Sequence, residues 1–139
     1  MYNNNTLKDI YQDIVVQPLI KGKNQDVRVY ILDGKIIGAV LRSANTGFKS
    51  NYSLGGKIQK YDIDVKLASI VEKIISIFND YIYIRNNSKG LFYVGIDFII
   101  DENGDYLFNE IEDVVGSRML YNTSNIDIVE LYLKKIYSK

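Results

Sequence analysis

At 139 residues with 47% hydrophobic content, the chain has the size and composition of one folded domain with a core, not of a disordered segment. Lysine plus arginine and aspartate plus glutamate number 17 each, so the positive field that binding to nucleic acid or anionic lipid requires is missing. Cysteine and histidine are both absent, which excludes disulfides, thiol nucleophiles, Cys/His zinc sites and imidazole catalysis; any metal must be a hard ion held by oxygen.

The stretch from Met1 to Asp9 is too polar for a signal peptide and no apolar run reaches membrane-spanning length, so a cytoplasmic protein is expected. Thr6 is placed to cap a short helix to about Asp13, with Leu7, Ile10 and Tyr11 on one face. The β-branched run Ile14-Val15-Val16-Gln17 then reads as a strand that Pro18 ends or edges. Val27–Leu32 and Lys35–Val40 flank Asp33-Gly34, a pair suited to the positive φ angles of a type I′ hairpin turn. A continuous register from that turn puts Arg28 and Arg42 on opposite faces, so Arg42 reaches the face of Arg28 only if the strand bulges or ends. Ser43 to Gly56 is polar and glycine-bearing, a loop long enough to suggest a task of its own.

From Asp64 a helix is expected whose apolar stripe is Leu67, Ile70, Val71, Ile74, Ile75, Phe78 and Tyr81. Its end falls between Asn79 and Asn87, because Tyr81-Ile82-Tyr83-Ile84 has strand character. A second hairpin runs from Phe92 to Asp101 and from Asp105 to Asp113, and an amphipathic helix spans about Ile126 to Tyr137. Two hairpins with packing helices make an α+β domain with an antiparallel sheet.

The second hairpin carries the chemistry. With Asn103-Gly104 as a two-residue turn, Asp97 lies opposite Glu110 and Gly95 opposite Glu112, so three carboxylates share one face with Ile99 and Phe108. Opposed like charges destabilise a sheet, and a divalent cation between them removes the conflict, with Gly95 leaving room for it and its phosphate ligands. The alternative is an acidic face pointing into solvent.

At these residues the chain resembles a known family. Gly95-Ile96-Asp97-Phe98 followed by Asn109-Glu110-Ile111-Glu112-Asp113-Val114-Val115-Gly116 is similar to the metal-binding end of ATP-grasp enzymes. The ribosomal-protein-modifying and α-L-glutamate ligases, with G-[VI]-D and E-V-N-x-x-P-G, are the nearest likeness. The resemblance implies Asp97 and Glu110 as metal ligands. It puts Glu112 where the family usually has Asn, and Val115 at its proline. Val16-Gln17-Pro18-Leu19-Ile20 resembles the segment that meets the adenine ring, implying cofactor contacts from Gln17, Pro18, Leu19 and Ile20. Asp26-Val27-Arg28-Val29 resembles the D-[IV]-R-[VF] strand, and Arg42 the second residue of a Lys-Arg pair. Phe48-Lys49-Ser50-Asn51 with Gly55 and Gly56 resembles F-R-[ST]-N-x-x-x-G-G. Taken singly, each has a plainer alternative: Arg28 as a surface strand residue paired with a nearby acid, Lys49 and Asn51 as loop residues, and Gly55-Gly56 as a turn.

The resemblance implies the C-terminal lobe of an ATP-dependent carboxylate–amine ligase using ATP and Mg²⁺, or Mn²⁺ in its place, and acting through an acylphosphate. Its implied partners are a nucleotide and small-molecule or peptide carboxylate and amine substrates. Arg28, Arg42 and Asn51 would be its catalytic residues and Ser43 to Gly56 a lid. The family's preceding lobe, with its lysines and glycine-rich loop, has no counterpart before Gln17, so residues 1–139 are expected to be a single fragment domain, inactive by itself. A missing N-terminal lobe or a homo-oligomeric partner would complete it. The competing expectations are a noncatalytic module that keeps the fold for self-association or partner docking, and a simple divalent-cation-binding domain.

Overall fold

A computed structural model of the chain describes residues 16–44, 56–86, 92–113 and 115–137, with the backbone alone for 83–86. The expected helix from Thr6, residues Ile14 and Val15, the loop positions 45–55 with Asn51 and Gly55, and Val114 lie outside the described residues. Strands β1 (Gln25–Leu32), β2 (Lys35–Ser43), β3 (Lys57–Lys60), β4 (Tyr93–Ile100) and β5 (Tyr106–Asp113) form one sheet in the order β3-β2-β1-β4-β5. Every neighbouring pair is antiparallel. Helices α1 (Val65–Asn86), α2 (Arg118–Thr123) and α3 (Ile128–Tyr137) complete the α+β architecture expected from the sequence.

α1 lies on one face of the sheet for the reason its stripe predicts. Leu67, Val71 and Ile75 are buried in one cluster with Val27, Val29, Ile31, Ala39, Leu41, Val94, Ile96 and Phe98, and Ile70 and Ile74 pack at its margin. The Asp64 carboxylate accepts from the Leu67 amide at 2.7 Å and caps the helix start. Tyr81 and Ile82 continue the helix instead of forming a strand, because Asn79 to Asn86 keeps the hydrogen-bond ladder of α1. The last helix starts two residues later than its apolar pattern suggests. Asp127 accepts from the Glu130 amide at 3.0 Å and so sets the boundary, leaving Ile126 outside.

The opposite face carries a smaller cluster of Tyr30, Val40, Val115, Met119 and Leu120. Two elements there were not expected, β3 and α2. β3 is a short edge strand with a lysine at each end and Ile58 as its apolar residue, and α2 buries only Met119 and Leu120, so neither has a periodic signature. Among the described residues, Val16 and Gln17 pair with no strand.

Leu67 is fully buried and Ile77, on the outer side of the same helix, is 56% exposed. Leu67→Ala is expected to lower the unfolding free energy by about 2–5 kcal/mol, and Ile77→Ala to change it by less than about 0.5 kcal/mol, in urea titrations.

Candidate functional site

The site grows from the central pair of strands. In β1 and β4, Arg28 and Asp97 are directly opposed, and so are Tyr30 and Gly95, along an unbroken register. Opposed residues share a face, so Asp26, Arg28 and Tyr30 of β1 lie with Gly95, Asp97 and Ile99 of β4 on the side away from α1.

Both flanking strands reach this face by an irregularity. β2 follows the register of the Asp33-Gly34 turn only as far as Ile36, opposite Ile31; Tyr30 then faces Gly38, and Ile37 is an extra residue. Asp33 and Gly34 do have the positive φ values, 50° and 71°, of the expected turn. The bulge at Ile37 shifts the remainder of β2 by one position, so Arg42 stands opposite Asp26 and on the same face as Arg28. The unbroken register, which parts the two arginines to opposite faces, is therefore corrected, and the bulge is the condition under which Arg42 reaches this face.

β5 holds a compensated pair of departures. The turn is not a two-residue one: Asp101 and Asp105 close a three-residue loop with a 3.0 Å backbone bond, and Gly104 takes φ +82°. Asp101 Oδ1 also accepts from the amides of Asn103 and Asp105, at 2.9 and 2.8 Å. That loop alone would set Asn109 opposite Asp97. A bulge at Asn109 restores the register, and Asp97 faces Glu110 while Gly95 faces Glu112. The expected convergence stands, but Phe108 does not share the face. It lies opposite Phe98, with ring centroids 6.4 Å apart, and Leu107 takes the place opposite Ile99.

Asp97 is 1% exposed and is gripped from two sides. Arg28 donates through Nε to Oδ1 and through Nη2 to Oδ2, both at 2.7 Å. Arg42 donates through Nη2 to Oδ2 at 2.6 Å. Arg42 is itself held by Asp26, through Nε to Oδ1 at 2.9 Å and through a close Nη2–Oδ2 contact. Arg28 reaches Glu112 through Nη1. Burial would push the Asp97 carboxyl up, but the hydrogen bond from Arg28 and the charges of Arg42 and Arg28 outweigh it and hold it below the ordinary carboxylate range. Burial would likewise lower Arg28, and its bond to Asp97 and nearby carboxylates raise it instead. Both groups are ionised.

Asp26 and Tyr30 were missed as site residues, although the alternation Asp26-x-Arg28-x-Tyr30 places all three on one face. The Tyr30 hydroxyl, pushed up to about 12 by burial, stays a donor and approaches the Gly116 carbonyl at 3.4 Å. Tyr93 bonds the Ser117 hydroxyl at 2.7 Å. These two tyrosines fasten the segment after β5 over the sheet. Val115 is thereby seated on Gly95, where an added Cβ would meet Val115 Cγ2 at 2.8 Å and Arg28 Cδ at 3.3 Å. The space at Gly95 expected to take a metal and phosphates is filled by the protein itself.

The remaining expected residues sit around this centre. Gln17, Pro18 and Leu19 are exposed and Ile20 is half-buried. Leu19, Ile20 and Lys21 line an open groove with Asp101, Glu102 and Leu107. Gly56 is half-buried just ahead of β3. Asp97, Glu110 and Glu112 offer oxygen donors of the kind a hard cation takes, and Glu110 is exposed, but Asp97 and Glu112 spend theirs on arginine. Among the described residues no three acidic groups stand close enough to form a ready cage.

A model of the RimK-like ATP-grasp domain matches residues 2–136. The tetrahydromethanopterin:alpha-L-glutamate ligase of Methanocaldococcus jannaschii is 27% identical over 135 residues, covering 95% of this chain and 42% of that protein. The alpha-aminoadipate–LysW ligase LysX of Sulfolobus acidocaldarius is 24% identical, covering 97% of the chain and 45% of that protein. The chain thus spans less than half the length of these curated relatives. Among solved structures, the ATP-grasp ligase PsnB complexed with minimal precursor, Mg and ADP superposes with a TM-score of 0.58 at 21% identity, over 85% of this chain and 33% of that one. Macrocyclase MdnB from Microcystis aeruginosa MRC gives 0.58 at 18% identity, over 84% and 31%.

Removing the central carboxylate charge leaves two buried guanidinium groups short of a partner. Asp97→Asn is expected to lower the unfolding free energy by about 3–5 kcal/mol, measured by urea denaturation, although the side chains are nearly equal in size.

Proposed function

Because the chain belongs to the RimK-like ATP-grasp domain family, we propose that it is the metal- and phosphate-holding lobe of an ATP-dependent carboxylate–amine ligase, a lobe inactive by itself. The observation that carries this reading is the meeting of Asp97 and Glu110 on one sheet face beside Arg28 and Arg42. Oxygen donors for a hard cation and guanidinium groups for phosphate are the two needs of phosphoryl transfer. Mg²⁺, or Mn²⁺ in its place, would supply neutralisation of charge on the phosphate oxygens.

The chain's own residues divide the remaining work. Asp97 and Glu110 would hold the cation, with Glu112 at the third position of the family pattern. Arg28 and Arg42 would bind and orient the phosphoryl group. The groove of Leu19, Ile20 and Leu107, with Gln17 and Pro18 ahead of it, would receive the adenine ring. Asn51, Gly55 and Gly56 would shape the acceptor side, with the loop up to Gly56 as a lid.

In the reaction, a substrate carboxylate oxygen attacks the γ-phosphorus of ATP and the bond to ADP breaks, giving an acylphosphate. An amine nitrogen then attacks the acyl carbon, phosphate leaves, the nitrogen loses a proton, and an amide results. The carboxylate and amine would come from a small molecule or a peptide, and a facing N-terminal lobe or a second copy would close over the nucleotide. The second reading, a noncatalytic docking module, draws on the exposed α3 residues Val129, Leu133 and Ile136.

Isothermal titration with Mg²⁺·ADP is expected to give saturable binding. Glu110→Gln, an exposed and fold-neutral change, is expected to weaken it about tenfold, or 1.4 kcal/mol. Absence of binding by the wild-type chain favours the docking module, and equal affinity in Glu110→Gln removes Glu110 from the metal site.

A further inference from the structure

Arg28 stands between two carboxylates of very different character. Asp97 takes the Nε and Nη2 donors of one guanidinium edge, at 2.7 Å each, and its side chain is 1% exposed. That pair fixes the plane of the group. The other edge runs from Nη1 to the second Nη2 hydrogen, and it is the edge left to meet an incoming anion as a two-pronged fork. Glu112 lies on that edge through Nη1, on a side chain that is 43% exposed. Its Oε2 is shielded from solvent, yet among the described residues it makes no well-directed hydrogen bond and is held by the charge of Arg28.

A carboxylate in that place has the charge and oxygen chemistry of a phosphate oxygen. A half-exposed side chain on an edge strand can also swing into water without opening the core, which Asp97 cannot do. We propose that Glu112 is an intramolecular stand-in for phosphate, an autoinhibitory contact that occupies the outward edge of Arg28 until a polyphosphate displaces it. This rests on the reading of Arg28 as a phosphate-binding residue. It replaces the third-ligand role of Glu112 with one opposite in sign, while Asp97 and Glu110 keep theirs. A cation ligand adds to affinity for metal-bound nucleotide, whereas a competitor subtracts from affinity for phosphate with or without metal. Arg28 keeps both Asp97 bonds when the half-exposed Glu112 swings out, so the pair is worth little more than a screened ion pair and the competition amounts to about a few-fold change.

The test is a titration with inorganic tripolyphosphate in excess EDTA, followed by NMR shifts of the β4 and β5 amides, on wild type, Glu112→Gln and Glu112→Asn. Both variants keep a polar side chain at a half-exposed edge position, and unchanged urea midpoints verify the fold. The expected result is affinity for metal-free tripolyphosphate roughly three- to tenfold higher in both variants than in wild type. Equal or lower affinity in the variants overturns the proposal, as does the absence of binding by all three proteins. Wild-type binding of Mg²⁺·ADP separates the two failures. If it persists while the variants show no gain, Glu112 alone is misassigned. If it is missing, the ligase reading falls and this inference with it.

Discussion

The structure depends on one buried carboxylate held by two buried guanidinium groups. Asp97, Arg28 and Arg42 sit on three different strands, and each is less than 10% exposed. Taking such charges out of water costs several kcal/mol apiece, recovered only when geometry is good and the remaining donors and acceptors are matched. The bidentate pair at 2.7 Å, the third bond at 2.6 Å and the backing of Arg42 by Asp26 meet that condition. Stability alone does not account for the cluster, because a well-packed apolar set in the same volume is often as stable or more so. The phosphate-binding role proposed for this face would give such a cluster a purpose.

That face carries two interlocking sets of side chains. Tyr30, Val40, Val115, Met119 and Leu120 make an apolar patch, and beside it lie Asp26, Arg28, Arg42, Asp97 and Glu112. Val115 marks the border, resting on Gly95, beside which the aliphatic part of Arg28 also lies. The tyrosine bonds to Gly116 and Ser117 hold that border in place. The guanidinium of Arg28 is therefore backed by packing as well as by charge, which limits the directions from which an anion can approach it.

Much of this was legible in the residues, and the rest was hidden for identifiable reasons. The α1 stripe and the Asp33-Gly34 turn carry strong local signals, and both formed. β3 and α2 are too short to show a period. The opposition of Asp97 and Glu110 was reached through two errors that cancel, a turn one residue too short and a missed bulge. The bulge did leave a trace. Tyr106, Phe108 and Ile111 line the α1 side, and the step from 108 to 111 breaks an alternation of two. Ile36, Ala39 and Leu41 break it in the same way around Ile37. A register carried unbroken from the turn overlooks both, and so misplaced Phe108 and Arg42.

These two breaks explain how one sheet satisfies both of its faces. Without the extra residue at Asn109, Glu110 and Glu112 would fall opposite Ile96 and Val94 and point toward α1, where an unpaired charge is prohibitively costly. Without the one at Ile37, Arg42 would enter the same apolar layer and Leu41 would leave it. The central pair β1–β4 needs no such device, since Arg28 and Asp97 are opposed by plain alternation. Each strand flanking that pair, β2 and β5, bulges once, and each bulge moves charged side chains onto the Asp97 face while returning an apolar residue, Leu41 or Ile111, to the core. The requirement that α1 meet an unbroken apolar surface thus fixes which acids and bases Asp97 meets. Charge convergence in this domain is set by the packing of the opposite face as much as by the residues that converge.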